Sequence, residues 1–66
     1  MQNERILRRK EVEAVTGLGR SAIYELMAKG TFPPQVPLHG RAVGWAESQV
    51  QAWISERIAD ARGLTV

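Results

Sequence analysis

Sixty-six residues with a formal net charge of +2, a pI near 9.7, no cysteine and a single histidine, His39, describe one small domain. A chain of this size buries only about 60% of its unfolded surface, so each large apolar residue has to contribute to the core. The composition excludes a disulfide framework and thiolate metal sites, makes zinc a poor fit, and leaves no apolar run near the roughly 18 residues of a bilayer span.

The N-terminal MQNERILRRK is charged and has no apolar stretch behind it, so it does not read as a signal peptide, and the cytoplasm is the expected location. Ile6-Leu7-Arg8 reads as an extended lead-in whose apolar pair closes one end of the core. From Arg9 to Thr16 the chain is helix-competent, with Val12 and Val15 on one face. Gly17 ends that helix, because glycine alone enters the left-handed cap conformation cheaply. Leu18 then plugs the gap between two helices, and Gly19 stands at the next N-cap, where it is weaker than serine.

A second helix is expected over Arg20–Lys29, with Ile23, Leu26 and Met27 forming an i, i+3, i+4 buried stripe. The segment Thr31 to Gln35 (TFPPQ) follows Gly30; its prolines remove donors and fix φ, and Phe32 is its apolar anchor. Val36–Leu38 and Arg41–Trp45 flank His39-Gly40, which reads as a tight hairpin turn. A third helix spans Glu47–Arg62, with Val50, Trp53, Ile54, Ile58 and Ala61 at helical spacing until Gly63 stops it. Trp45 and Trp53 lie on apolar faces and read as core residues, not as stacking platforms.

The predicted fold is mostly α with a small β-hairpin: a winged helix-turn-helix of three helices plus a two-stranded wing. It fills residues 1–66 as one domain, with 1–4 and 63–66 expected to fray. In such a unit the core and first helix hold the second helix outward, where its first turns reach the major groove of DNA.

Removing the buried stripe from the second helix leaves Arg20, Ser21, Tyr24, Glu25 and Lys29 facing out. Arg20 suits a bidentate contact to guanine, Ser21 a base edge or phosphate, Tyr24 a phosphate or thymine methyl, and Lys29 the backbone alone. At the hairpin tip, His39 and Arg41 are candidates for the flanking backbone or minor groove. The N-terminal basic cluster adds Arg9 and Lys10, since six of the nine basic residues fall in the first half of the chain. Glu13 departs from the pattern; it lies four before Gly17, where a small residue eases the helix crossing, so it turns to solvent or the crossing is looser.

The ordered series TGLGRSAIY (Thr16–Tyr24), Gly30–Pro33, GRAVGW (Gly40–Trp45) and the Glu47–Ile54 stretch resembles the AlpA family of prophage transcriptional regulators. These are short winged helix-turn-helix proteins related in fold to MerR-type and excisionase domains. The family usually has serine where this chain has Gly19. The resemblance implies DNA contact by Arg20, Ser21, Tyr24 and Arg41, and regulation of phage-derived genes.

Double-stranded DNA is therefore the expected partner of a sequence-specific regulator, with no cofactor, no metal, no membrane and no enzymatic activity. A single module of this size buries roughly 600–1,000 Å² on DNA, so two or more copies on adjacent half-sites are expected. RNA polymerase or a recombinase would be the further protein partner. Two alternatives stand beside this reading: an excisionase-type architectural factor, and a protein-interaction module with a degenerate DNA face.

Overall fold

The computed structural model describes residues 4–63. Of the ends expected to fray, all but Glu4 and Gly63 lie outside that range. The element order is β1 (Ile6–Leu7), α1 (Arg9–Thr16), α2 (Arg20–Ala28), β2 (Val36–His39), β3 (Ala42–Ala46) and α3 (Glu47–Ala61). Three helices and a small antiparallel sheet make the mostly α, winged arrangement that the periodicities predict.

The sheet differs from expectation in having three strands, in the order β1-β3-β2. The lead-in is itself a strand, with Ile6 opposite Ala46 and Leu7 opposite Trp45. Gly44 lets it come this close. A Cβ there would run into Ile6 Cγ2 and would stand 3.0 Å from the Leu7 carbonyl oxygen. The hairpin turn is also displaced by one residue, to Gly40-Arg41, because His39 pairs with Ala42. The register slips between Pro37 and His39, leaving Leu38 as an extra residue on β2. Gly40 has φ +57°, suited to the first central position of a two-residue hairpin turn. Pro37 lacks an N–H, and β2 is an edge strand, where one side of the ladder needs no donor.

Local chemistry sets the helix limits. The Arg8 N–H donates to Glu11 Oε1 at 2.8 Å, one half of a capping box that a guanidinium, having no acceptor, cannot return. Gly17, at φ +77°, closes α1 by donating its N–H to the Glu13 carbonyl at 2.9 Å. Thr16 Oγ1 donates to the Val12 carbonyl at 2.7 Å and accepts the Leu18 N–H at 3.2 Å. One hydroxyl thus fixes the turn between the first two helices. The start of α3 has no cap from its own sequence; the N-terminal segment supplies it. The Arg5 carbonyl accepts the Glu47 N–H at 2.8 Å, and the Glu4 carboxylate takes both the N–H and hydroxyl of Ser48, at 3.1 and 2.7 Å.

The core takes one apolar residue from every element except β2, and one from the loop: Leu7 of β1, Val12 of α1, Ile23 of α2, Phe32 of the loop, Trp45 of β3 and Val50 of α3. Leu18, Leu26, Met27, Trp53 and Ile54 pack around them. Two residues placed on buried stripes by periodicity lie outside instead: Val15 is 45% exposed and Ile58 47%. Ala61 is exposed as well. The last two turns of α3 extend past the core, and among the described residues no layer covers their apolar side.

Both tryptophans hold the proline loop. Trp45 donates its indole N–H to the Pro33 carbonyl at 3.1 Å, and Trp53 donates to the Thr31 carbonyl at 2.8 Å. Between these bonds Phe32 meets Trp53 edge to face, with ring centroids 5.0 Å apart.

Candidate nucleic-acid interface

The amphipathic spacing of α2 divides it cleanly. Ile23 is fully buried, and Leu26 and Met27 are half-buried against the core. Arg20, Ser21, Tyr24, Glu25 and Ala28 form one exposed stripe on the opposite side, continued by Lys29 at the C-cap. Neither the hairpin nor the described terminal residues cover this stripe. The Gly17-Leu18-Gly19 turn presents α2 outward while Leu18 fills the space beneath it.

Within the stripe the side chains are not independent. The Arg20 guanidinium lies 5.8 Å from the centroid of the Tyr24 ring, within cation–π range. The Tyr24 hydroxyl accepts a hydrogen bond from Gln35 Nε2 at 3.3 Å. Lys29 Nζ stands 3.5 Å from Glu25 Oε2, an exposed pair that holds the lysine only weakly. In the sequence Gln35 is only the last residue of the proline loop. Nothing in local spacing marks a partner eleven positions away.

The other sequence-predicted residues are spread over two more elements. Arg41 is exposed at the second position of the hairpin turn, and His39 is exposed at the end of β2. Arg9 and Lys10 open α1; Lys10 is exposed, whereas Arg9 Nη1 lies 3.6 Å from Glu13 Oε2. That contact settles Glu13, which runs half-buried along α1 beside Arg9.

Three of the four cations of the N-terminal basic cluster have partners within the chain, at its surface. Arg8 Nε donates to the Val43 carbonyl at 3.0 Å, stapling the start of α1 to β3. Arg5 reaches Glu11 at 3.7 Å and Glu47 at 3.5 Å. Among the described residues, Lys10 alone of these four cations has no such partner. A cleft of about 490 Å³ lies elsewhere, between the proline loop and α3, lined in part by Phe32, Trp53, Glu56 and Arg57. None of the α2 stripe lines it.

Two short helices about a glycine turn, a bare polar side on the second, a strand-turn-strand wing and a closing helix define a winged helix-turn-helix protein. The family model of the prophage CP4-57 regulatory protein (AlpA) matches residues 5–58, and the chain belongs to that family. The uncharacterized protein ORF88 of Enterobacteria phage P4 is 57% identical over 56 residues, covering 85% of this chain and 64% of that protein. This chain thus spans less than two thirds of the phage relative. A protein of Escherichia coli K12 named DNA-binding transcriptional activator AlpA is 36% identical over 59 residues, covering 80% of this chain and 84% of its own length. No solved structure gives a significant match.

Proposed function

We propose that this protein is a sequence-specific regulator of prophage or mobile-element genes that acts on double-stranded DNA in the cytoplasm. The observation that carries the reading is the uncovered polar stripe of α2, set over a fully buried Ile23. Family membership supports it, as does the DNA-binding activity in the name of the E. coli relative.

In this reading the first turns of α2 enter the major groove. Arg20 makes a bidentate contact to guanine, worth about 1–3 kcal/mol of discrimination, and Ser21 bonds a base edge or phosphate. Tyr24 and Lys29 serve the phosphate backbone. Arg41 at the wing tip enters the adjacent minor groove, with His39 beside it, and Lys10 and Arg9 meet the flanking backbone. Arg9 must exchange its contact with Glu13 to do so. Two or more copies occupy adjacent half-sites, since one module contributes too little contact for both affinity and specificity. RNA polymerase is the further partner at a promoter.

Selection of bound sites from a random DNA pool, followed by titration of two variants, tests the proposal. Arg20→Ala should relax base preference at one position of the selected site. Lys29→Ala should weaken every sequence about equally and lower the slope of affinity against salt by about one. Absence of saturable, salt-sensitive binding to any duplex would refute the reading. Equal behaviour of the two variants would refute the division of roles along α2.

A further inference from the structure

Tyr24 sits at the middle of the exposed stripe and is held from two sides. Arg20 lies over its ring at 5.8 Å, and Gln35, in the loop just before β2, donates to its hydroxyl at 3.3 Å. We infer that Gln35 is a positioning residue for DNA recognition, which orients the Tyr24 hydroxyl so that its proton is presented outward to a phosphate oxygen. The inference rests on the DNA-binding reading above and goes further, in giving a role to a residue outside α2 and outside the wing tip.

The chemistry follows from the hydrogen-bonding capacity of a phenol, which has one proton to donate and two lone pairs. A glutamine amide that donates to the oxygen occupies a lone pair. The proton is then left for an acceptor in front of the ring, and on duplex DNA the most abundant acceptors of that kind are phosphate oxygens. A donor into the phenol oxygen also polarises its O–H, strengthening the bond it makes in turn. The link has a mechanical side too. Gln35 leads directly into β2, so the bond ties the recognition helix to the root of the hairpin at its exposed edge. Pro33 and Pro34 restrict the backbone just before it, and the indole N–H groups of Trp45 and Trp53 hold the carbonyls of Pro33 and Thr31. Gln35 is therefore presented from a stiff segment, which lowers the ordering cost of using Tyr24 on DNA.

Three variants test this on the intact protein: Gln35→Met, which keeps length and removes the donor, Tyr24→Phe, and the double variant. Affinity for the selected duplex should fall about three- to tenfold for each single change. The double variant should lose no more than the worse single one, as two parts of one contact require. The salt slope should stay that of the parent in all three, because a neutral hydroxyl displaces no counterion. A second readout needs no DNA. The chain has one tyrosine, so its ring signals are unique in an NMR spectrum; in the free protein they should shift on Gln35→Met. Additive losses in the double variant, or unchanged affinity for Gln35→Met beside a loss for Tyr24→Phe, would overturn the role of Gln35. Failure of the parent itself to bind any duplex, with the tyrosine signals shifting as expected, would overturn the DNA reading and leave the Gln35–Tyr24 bond as a structural feature alone.

Discussion

Alanine at Gly44 adds one methyl group to the central strand, and the structure specifies what that methyl meets. It overlaps Ile6 Cγ2, stands 3.0 Å from the Leu7 carbonyl oxygen and 3.4 Å from Leu38 Cδ1. The first conflict is cheap to relieve, because Ile6 is 37% exposed and its side chain can rotate into solvent. The second is with backbone. β1 must retreat by a few tenths of an ångström, and it carries the buried Leu7 and the Arg5 carbonyl that caps α3. Overpacking of this kind costs about 1–3 kcal/mol, offset by a few tenths to about 1 kcal/mol from the smaller entropy of the unfolded chain. The net is about 1–2 kcal/mol of lost stability, or roughly 4–16 °C in Tm for a domain of this length. Thermal unfolding followed by circular dichroism measures it. The double variant with Ile6→Ala should lose less than the sum of its parts, because one of the two conflicts is gone. A Gly44→Ala protein melting at or above the parent would refute the argument that close approach of β1 requires glycine here.

Ile23→Ala removes the fully buried contact beneath the α2 stripe; at about 2–5 kcal/mol it takes much of the roughly 3–10 kcal/mol expected for a chain this long. Urea denaturation should show the unfolding free energy lowered by that amount, and a loss below 1 kcal/mol would mean that α2 is anchored elsewhere. Trp53→Phe keeps an aromatic face for Arg57, 5.4 Å away, but loses the N–H bond to Thr31. It should cost about 0.5–1.5 kcal/mol and speed exchange of the Gly30, Thr31, Phe32 and Gln35 amides; unchanged exchange there would count against the indole as a loop clamp. The Ser48 hydroxyl, and then its backbone N–H, hold the Glu4 carboxyl below its ordinary range. A carboxyl depressed in the folded state stabilises above its unfolded value of about 4.3 and loses that contribution as pH falls through its folded value. Glu4→Gln should therefore lower Tm at pH 7, with the gap to the parent closing in acid; a gap constant over pH 3–7 would remove Glu4 as the cap of α3.

Features set by neighbouring residues were legible in the sequence. The Gly17-Leu18-Gly19 turn depends on a glycine at φ +77° and an apolar plug, and both are local. The division of α2 into Ile23, Leu26 and Met27 against Arg20, Ser21 and Tyr24 follows from helical period alone. What failed needed knowledge of distant partners. Ile6-Leu7 becomes a strand only because Ala46 and Trp45 lie opposite. The extra residue at Leu38 moves the turn to Gly40-Arg41, and no local signal marks it. Val15 and Ile58 show the limit of periodicity: it identifies the face a residue occupies, whereas burial also requires an element to cover it. The partners of the basic cluster are distant in the same way: Arg5 lies beside Glu11 and Glu47, and Arg8 donates to the Val43 carbonyl.

A core of six buried residues, drawn from five elements and the proline loop, has little redundancy. Shortening Leu7, Val12, Ile23, Phe32, Trp45 or Val50 removes the buried apolar side chain of its segment, so these positions tolerate little. The α2 stripe is under the opposite constraint. Arg20, Ser21, Glu25 and Ala28 are exposed, and exchanging such residues changes stability by about 0.5 kcal/mol or less. On the proposed DNA reading, a fold built this way can change what its helix contacts without remaking what holds the helix. Tyr24 is the exception on that face: its hydroxyl is joined to Gln35, so a substitution there alters the link to the hairpin root along with the surface. Preference for a new site is therefore expected to be reached through positions 20, 21, 25 and 28 while Tyr24 and Gln35 are retained as a pair.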